Sequence, residues 1–212
     1  TKEKQIQQKI NSDVEDILPF DSYDLIVRTV DGQFRGTQVI GYNEEGLQFW
    51  NQKLKNMKDK EAQSLIQHYD NDLSLEYNEI AIGIDLARSL QLLEGDQVTL
   101  IPAETLLLSQ MEAPVVEKVV IKRILTTDLY DLDSKLLLFN RQKSLKRFEM
   151  GLSRISGFHI WAKNSESISK IKQQLLSEKL FENVETWQDK NSDLFFALFM
   201  EKTMIGVFLG LA

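Results

Sequence analysis

The chain has 212 residues, 42% of them hydrophobic and 27% charged, with a net charge of −7 and no cysteine. Those proportions are those of a folded protein of one or two domains with a sizeable core. The acidic balance sets it against nucleic-acid backbones and anionic headgroups, and the absence of cysteine excludes disulfides, thiolate catalysis and Cys-ligated metal.

In chain order, Ile6 and Ile10 stand four apart in a Lys- and Gln-rich background and predict an exposed helix with a narrow apolar stripe. After Pro19, the residues Tyr23, Leu25 and Val27 alternate with Asp24, Ile26 and Arg28 as in a half-buried strand, and Asp31-Gly32 predicts a tight hairpin into a return strand from Phe34 to Tyr42. From Asn43 the period changes to helical: Leu47, Trp50, Leu54 and Met57 form one face, and Ala62, Leu65, Ile66 and Tyr69 prolong the pattern. Lysines 53, 55, 58 and 60 surround that helix, but Asp59 and Glu61 interrupt the run and argue against a nucleic-acid surface. His68 has no partner at metal spacing.

Residues 77–101 are the most informative. Ile80 and Ile82 alternate, Gly83 punctuates, Asp85 opens a short helix with Leu86, Ala87 and Leu90 on one side, and Glu94-Gly95-Asp96 turns into a strand carrying Val98 and Leu100. Between Pro102 and Pro114 lies a loop with Leu106, Leu107, Leu108 and Met111, four large apolar side chains that must be buried on their own domain or meet a partner. A strand follows from Val119 to Leu125. Asp128, Asp131 and Asp133 lack the Gly and distal Glu of a calcium loop. Leu136 to Phe139 reads as a buried strand, and Gln142 to Met150 as a helix that Gly151 ends. Phe158, Ile160 and Ala162 alternate with His159 and Trp161 in a strand, and no nucleophile or carboxylate stands near His159 in sequence. Ser165 is placed to cap a helix with Ile168, Ile171, Leu175 and Leu176 inward. The last 26 residues, from Trp187, begin as an amphipathic helix with Leu194, Phe195, Leu198 and Phe199 on one stripe and then, beyond Glu201 and Lys202, run without charge to Ala212. They are read either as the first turns of a membrane span or as a helix buried against the core.

Two stretches carry a family resemblance. Gly83, a small helix with Leu86-Ala87 and Leu90, the Gly95-Asp96 turn and the strand Val98-Thr99-Leu100 resemble the extracytoplasmic domain of ABC-transporter permeases of the MacB and FtsX-like superfamily. Trp187, Asn191, Leu194-Phe195, Ala197-Leu198, Glu201-Lys202 and Met204 resemble the entry to the second membrane helix of lipoprotein-releasing permeases of the LolC and LolE type. The resemblance implies an α+β fold with a Porter-like α/β subdomain formed by both chain ends, residues 1–77 and 152–200, an inserted β-rich Sabre-like subdomain, residues 78–151, and a transmembrane helix starting within 201–212. It further implies a domain facing the periplasm from the inner membrane, joined to it by flanking membrane helices.

In the LolC type the loop at this position is a hook that binds the periplasmic lipoprotein chaperone, whereas the LolE type contacts the incoming lipoprotein and a single permease could serve both. The resemblance thus implies Leu106, Leu107, Leu108, Met111, Pro114 and Lys118 as the expected partner-binding residues. The basic patch at the base of such a hook is not reproduced: the matching positions are Val98, Val116 and Glu117, and only Lys118 nearby is basic. The implied partners are a second permease subunit or copy, a cytoplasmic ATPase subunit, a lipoprotein substrate and a LolA-like chaperone, with no nucleic acid and no cofactor. No Walker motif is present, so a separate subunit is expected to hydrolyse ATP and this chain is expected to be no enzyme. The alternatives are a MacB-type efflux permease or FtsX-like regulator that binds an adaptor or cell-wall hydrolase, and a soluble hydrolase or ligand-binding α/β protein.

Overall fold

A computed structural model describes residues 6, 13–55, 73–104, 116–127, 129–143, 154–178 and 181–210. The helices predicted from Ala62 to Tyr69 and after Gln142 and the apolar loop between Pro102 and Pro114 therefore lie wholly or largely outside the described residues. The fold is α+β. Its strands are β1 (Val14–Arg28), β2 (Phe34–Tyr42), β3 (Glu79–Gly83), β4 (Gln97–Pro102), β5 (Glu117–Leu125), β6 (Leu136–Asn140) and β7 (Ile155–Ala162). The helices are α1 (Glu44–Lys55), α2 (Ile84–Ser89), α3 (Tyr130–Asp133), α4 (Ser167–Ser177), α5 (Trp187–Lys190) and α6 (Ser192–Gly210).

The strands follow the order β2-β6-β3-β5-β4-β1-β7, and β2 also pairs with β1, so six of the seven close on themselves as a barrel. Closure is possible because β1 uses both edges over the same residues: Leu25 to Arg28 pair with Thr37 to Phe34 on one side and with Pro102 to Thr99 on the other. The alternation read from the sequence decides which side chains enter the barrel. Tyr23, Leu25 and Val27, Val98 and Leu100, and Val119 and Ile121 are buried in one core cluster with Ile80, Ile82, Val39, Leu137 and Phe139. The uninterrupted apolar run of β6 is buried at every position, and it lies parallel to β2 and antiparallel to β3.

Contacts divide the chain into two compact units, residues 18–159 and residues 1–17 with 160–212. The sequence-based boundaries after residues 77 and 151 fall inside the first unit, because β1 and β2 are staves of the same barrel as β3 to β6.

Local structure departs from the sequence expectations in three places, each for a side-chain reason. The Asp31-Gly32 turn is part of a longer loop, residues 29–33, in which Gly32 alone takes a positive φ, +92°. Thr29 builds that loop: its hydroxyl engages Asp31 and accepts from the Gln33 amide at 3.0 Å, while its own amide donates to the Gln33 carbonyl at 2.9 Å. Asp85 lies within the first turn of α2 and the N-cap is Gly83, with no side-chain cap. The amides at the start of α4 are met by Asn164, whose Oδ1 accepts from the Ser167 amide at 2.9 Å and from its hydroxyl at 2.6 Å, so Ser165 is not needed for the cap.

The segment with the Gly-Asp turn forms as expected. The Gly95 amide donates to the Ile121 carbonyl at 2.7 Å, the Ile121 amide to the Asp96 carbonyl at 2.9 Å, and the Ile124 amide to Glu94 Oε1 at 3.0 Å. Asp96 Oδ2 accepts from the Leu93 amide at 2.8 Å, closing the turn on itself. The turn is thereby stitched to β5, the strand that leads back from the apolar loop.

Candidate functional site

Of the residues expected to bind a partner, Leu106, Leu107, Leu108, Met111 and Pro114 lie outside the described residues and Lys118 lies within them. The strands that carry the loop are neighbours: β4 and β5 pair antiparallel with Leu100 opposite Glu117, Thr99 opposite Lys118 and Val98 opposite Val119. The loop thus leaves and re-enters the barrel through adjacent, hydrogen-bonded strands, which fixes both its ends. Lys118 is exposed on the outer face, whereas Glu117 and Val98 are turned inward and buried. Val116 is 44% exposed. These two inward positions are closed to a partner, and Val116 and Lys118 are the exposed residues at the start of β5.

The second feature is α6, in the unit made by the chain ends. A surface helix of a water-soluble domain turns one apolar stripe to its core. Here Leu194, Phe196, Leu198, Phe199, Met200, Met204 and Ile205 are all exposed, from 43% to 66%, and they lie on every side of the helix rather than on the single stripe the sequence spacing suggested. Phe195 is half-buried and packs edge-to-face on Trp187 with ring centroids 5.3 Å apart. The polar end of α6 is separately anchored. Thr186 and Asp189 form a capping box at α5, with the Asp189 amide donating to Thr186 Oγ1 at 3.1 Å and the Thr186 amide donating to Asp189 Oδ2 at 2.7 Å. Lys172 of α4 reaches the same carboxylate at 2.7 Å. No helix among the described residues is long and apolar enough to cross a membrane.

Lys172 and then the Thr186 donors hold the Asp189 carboxyl well below the usual carboxylate range. A group with a lowered folded pKa stabilises the folded state above its unfolded value, about 3.9, and loses that contribution as pH falls through the lowered one. The cap is therefore expected to weaken only under strongly acidic conditions. Thr186→Ala should cost about 1 kcal/mol, read as a lower urea midpoint, and an acid titration of Asp189→Ala should lack the part of the stability loss between pH 4 and pH 2 that the parent shows.

The polar groups inside the barrel unit are arranged for structure. Tyr42 hydroxyl meets His159 Nδ1, and the His159 ring stacks on Phe20 with centroids 3.9 Å apart and planes at 16°. Burial pushes the Tyr42 phenol far above its ordinary value, so it serves as a hydrogen-bonding group and not as a base at neutral pH. Asp133, buried at the start of β6's approach, accepts from the Thr127 amide at 3.0 Å and the Thr127 hydroxyl at 2.7 Å, and its carboxyl is pushed up by burial against those donors. That use of its oxygens fits a folded hairpin. Among the described residues no group of three His, Asp or Glu side chains is placed to hold a metal ion. A shallow cleft of about 290 Å³ between α4 and α5 is lined by Ile168, Leu176, Lys172 and Asp189, and the two charges there satisfy each other.

No family model matches the sequence, and no curated protein matches it. Among solved structures, the periplasmic region of MacB from Actinobacillus actinomycetemcomitans is similar at 13% identity and a TM-score of 0.43, over 84% of this chain and 72% of that one. A domain of a putative permease protein from Porphyromonas gingivalis is similar at 15% identity and a TM-score of 0.42, over 88% of this chain and 86% of that one. The extracellular domain of the ABC-type transporter YknZ from Gram-positive bacteria is similar at 10% identity and a TM-score of 0.40, over 81% and 76%.

Proposed function

We propose that this chain is the extracytoplasmic domain of an ABC transporter permease of the MacB and FtsX-like superfamily, working in lipoprotein release at the inner membrane. The observation that carries the proposal is α6: seven large apolar side chains exposed around one helix, which carries no charge from Thr203 to Gly210. Water is a poor solvent for such a helix and hydrocarbon a good one. The Gly95-Asp96 segment and the Trp187 to Met204 stretch supply the family pattern in sequence. In this reading α6 leads into a membrane helix, a separate cytoplasmic ATPase drives the movement, and a second permease subunit or copy completes the transporter. The barrel unit relays the movement to a lipoprotein and its LolA-like chaperone through the loop held between β4 and β5.

The loop is tested by Leu107→Asp and Met111→Asp. Binding of a purified LolA-like chaperone, followed by titration calorimetry, is expected to fall by about 100-fold, the loss of a central apolar anchor, with the circular dichroism and unfolding midpoint unchanged. Unfolding of both variants would place the loop in the core and remove it from partner binding. An intact fold with tight binding to a cell-wall hydrolase and none to the chaperone would favour the FtsX-like alternative.

A further inference from the structure

The strand register assembles a row that is scattered in the sequence. Phe34 pairs with Arg28, Arg28 pairs with Thr99, and Thr99 pairs with Lys118, so these four side chains stand next to one another across β2, β1, β4 and β5. They belong to the outward set, since Val27, Leu100 and Val119 beside them are buried in the barrel. Phe34 is 74% exposed, and Val30 at the hairpin tip is 87% exposed, the two largest values among the exposed apolar side chains described. Ile26 and Ile101, paired with each other two residues along, continue the apolar ground.

Arg28 and Lys118 are exposed, and neither makes an ion pair among the described residues. Their cationic neighbours are neutralised: Lys122 meets Glu79 at 2.7 Å and Arg123 lies 3.8 Å from Glu94. The acidic residue at the tip, Asp31, is engaged by Thr29 and Gln33. On a chain of net charge −7, two exposed cations with no ion pair among the described residues, beside exposed aliphatic and aromatic groups, are a local departure from the acidic surface.

We infer that this outer face of β2, β1, β4 and β5 docks an acidic amphipathic helix of a protein partner, with Arg28 and Lys118 each taking a carboxylate and Phe34 and Val30 taking its apolar side. Spacing supports a helix as the occupant. Along the curved barrel wall two strand steps take the backbone about 9.6 Å from Arg28 to Lys118, and carboxylates seven residues apart on a helix are about 10.5 Å apart along its axis. The inference deepens the proposed relay by naming the chemistry of the partner, and it rests on that reading for its biological setting.

The probe is an acetylated 18-residue Leu- and Ala-based helical peptide with Glu at two positions seven apart, titrated into the full chain at low ionic strength and followed by amide chemical shifts. Shifts are expected at Ile26, Arg28, Phe34, Thr99, Ile101 and Lys118. Arg28→Glu or Lys118→Glu should weaken binding about tenfold or more, and Arg28→Lys should keep most of it, as charge complementarity requires. These side chains are exposed, so unfolding midpoints should not move. Equal binding of the same peptide with Lys in place of Glu, or insensitivity to the charge reversals, would overturn the inference. So would an attraction to phosphatidylglycerol vesicles, lost in Arg28→Glu, in place of peptide binding. If α6 enters bilayers while the peptide fails to bind, the permease reading stands and this inference falls.

Discussion

Gly83→Ala is expected to lower the unfolding free energy by about 3 kcal/mol, at the upper end of what forcing one methyl into a packed site costs. Gly83 has an ordinary extended backbone, φ −69° and ψ 149°, so alanine meets no conformational penalty there. The penalty is contact. A Cβ would sit 2.2 Å from the carbonyl oxygen of Asp133 and 2.8 Å from its carbonyl carbon and Cα, all of them backbone atoms. Relief would require α3 to move, and α3 is held by the buried Asp133 carboxylate through its bonds to Thr127. The crossing of β3 into α2 is therefore locked to the approach to β6, and the lock has no room for a methyl. Gly36→Ala is the matched control: nothing lies within 4 Å of its Cβ, and its effect is expected to stay within about 0.5 kcal/mol. Urea unfolding followed by tryptophan fluorescence reads both. A Gly83 variant as stable as the control would show that the close approach does not exist in solution.

Arg141→Ala is expected to cost a similar amount, about 3 kcal/mol, by stranding a buried charge. Asp21 of β1 is 1% exposed. Its Oδ2 lies 3.0 Å from Arg141 Nε, just after β6, and its Oδ1 accepts from the Ser156 hydroxyl of β7 at 2.5 Å. One carboxylate thus ties three segments together. Arg141 is partly open to water, so deleting it restores little solvation, while Asp21 stays buried with a single hydroxyl for company. Ser156→Ala should cost about 2 kcal/mol, one hydrogen bond to a charged group being lost while the guanidinium remains. Arg141→Lys should recover part of the loss, because charge returns without the same reach. A neutral Arg141→Ala would mean that water enters the site.

The elements legible in the sequence are those whose signal is local. The alternation of Tyr23, Leu25 and Val27 predicted the inward face of β1, and the uninterrupted run from Leu136 predicted a strand buried on both sides. The Gly95-Asp96 turn was readable because its bonds run to its own strand and the one beside it. Closure of the barrel was not readable, since it depends on β1 pairing along both edges over the same four residues, a matter of register between segments some seventy residues apart. The same register creates the Arg28, Thr99 and Lys118 row. No window of sequence brings those residues together.

The C-terminal helix shows the opposite case. Its stripe of Leu194, Phe195, Leu198 and Phe199 obeys the period of a helix packed on a core, and the period alone cannot say that Phe196, Met200 and Met204, on its other sides, are exposed as well. What separates the two readings is the solvent around the helix. Beyond Lys202 the helix carries no charge through Gly210, about 12 Å of axis at the usual rise, which is enough to enter a bilayer and too short to cross one.

That entry is the central claim, and the absence of cysteine gives a clean way to measure it. Single cysteines placed by Asp193→Cys and Ile205→Cys would carry a nitroxide on the full chain reconstituted with phosphatidylcholine vesicles, and collision with oxygen and with a water-soluble nickel chelate would report the surroundings of each. The account predicts that the label at 205 collides with oxygen and is shielded from nickel, while the label at 193 is open to nickel. Equal access of nickel to both positions would contradict it.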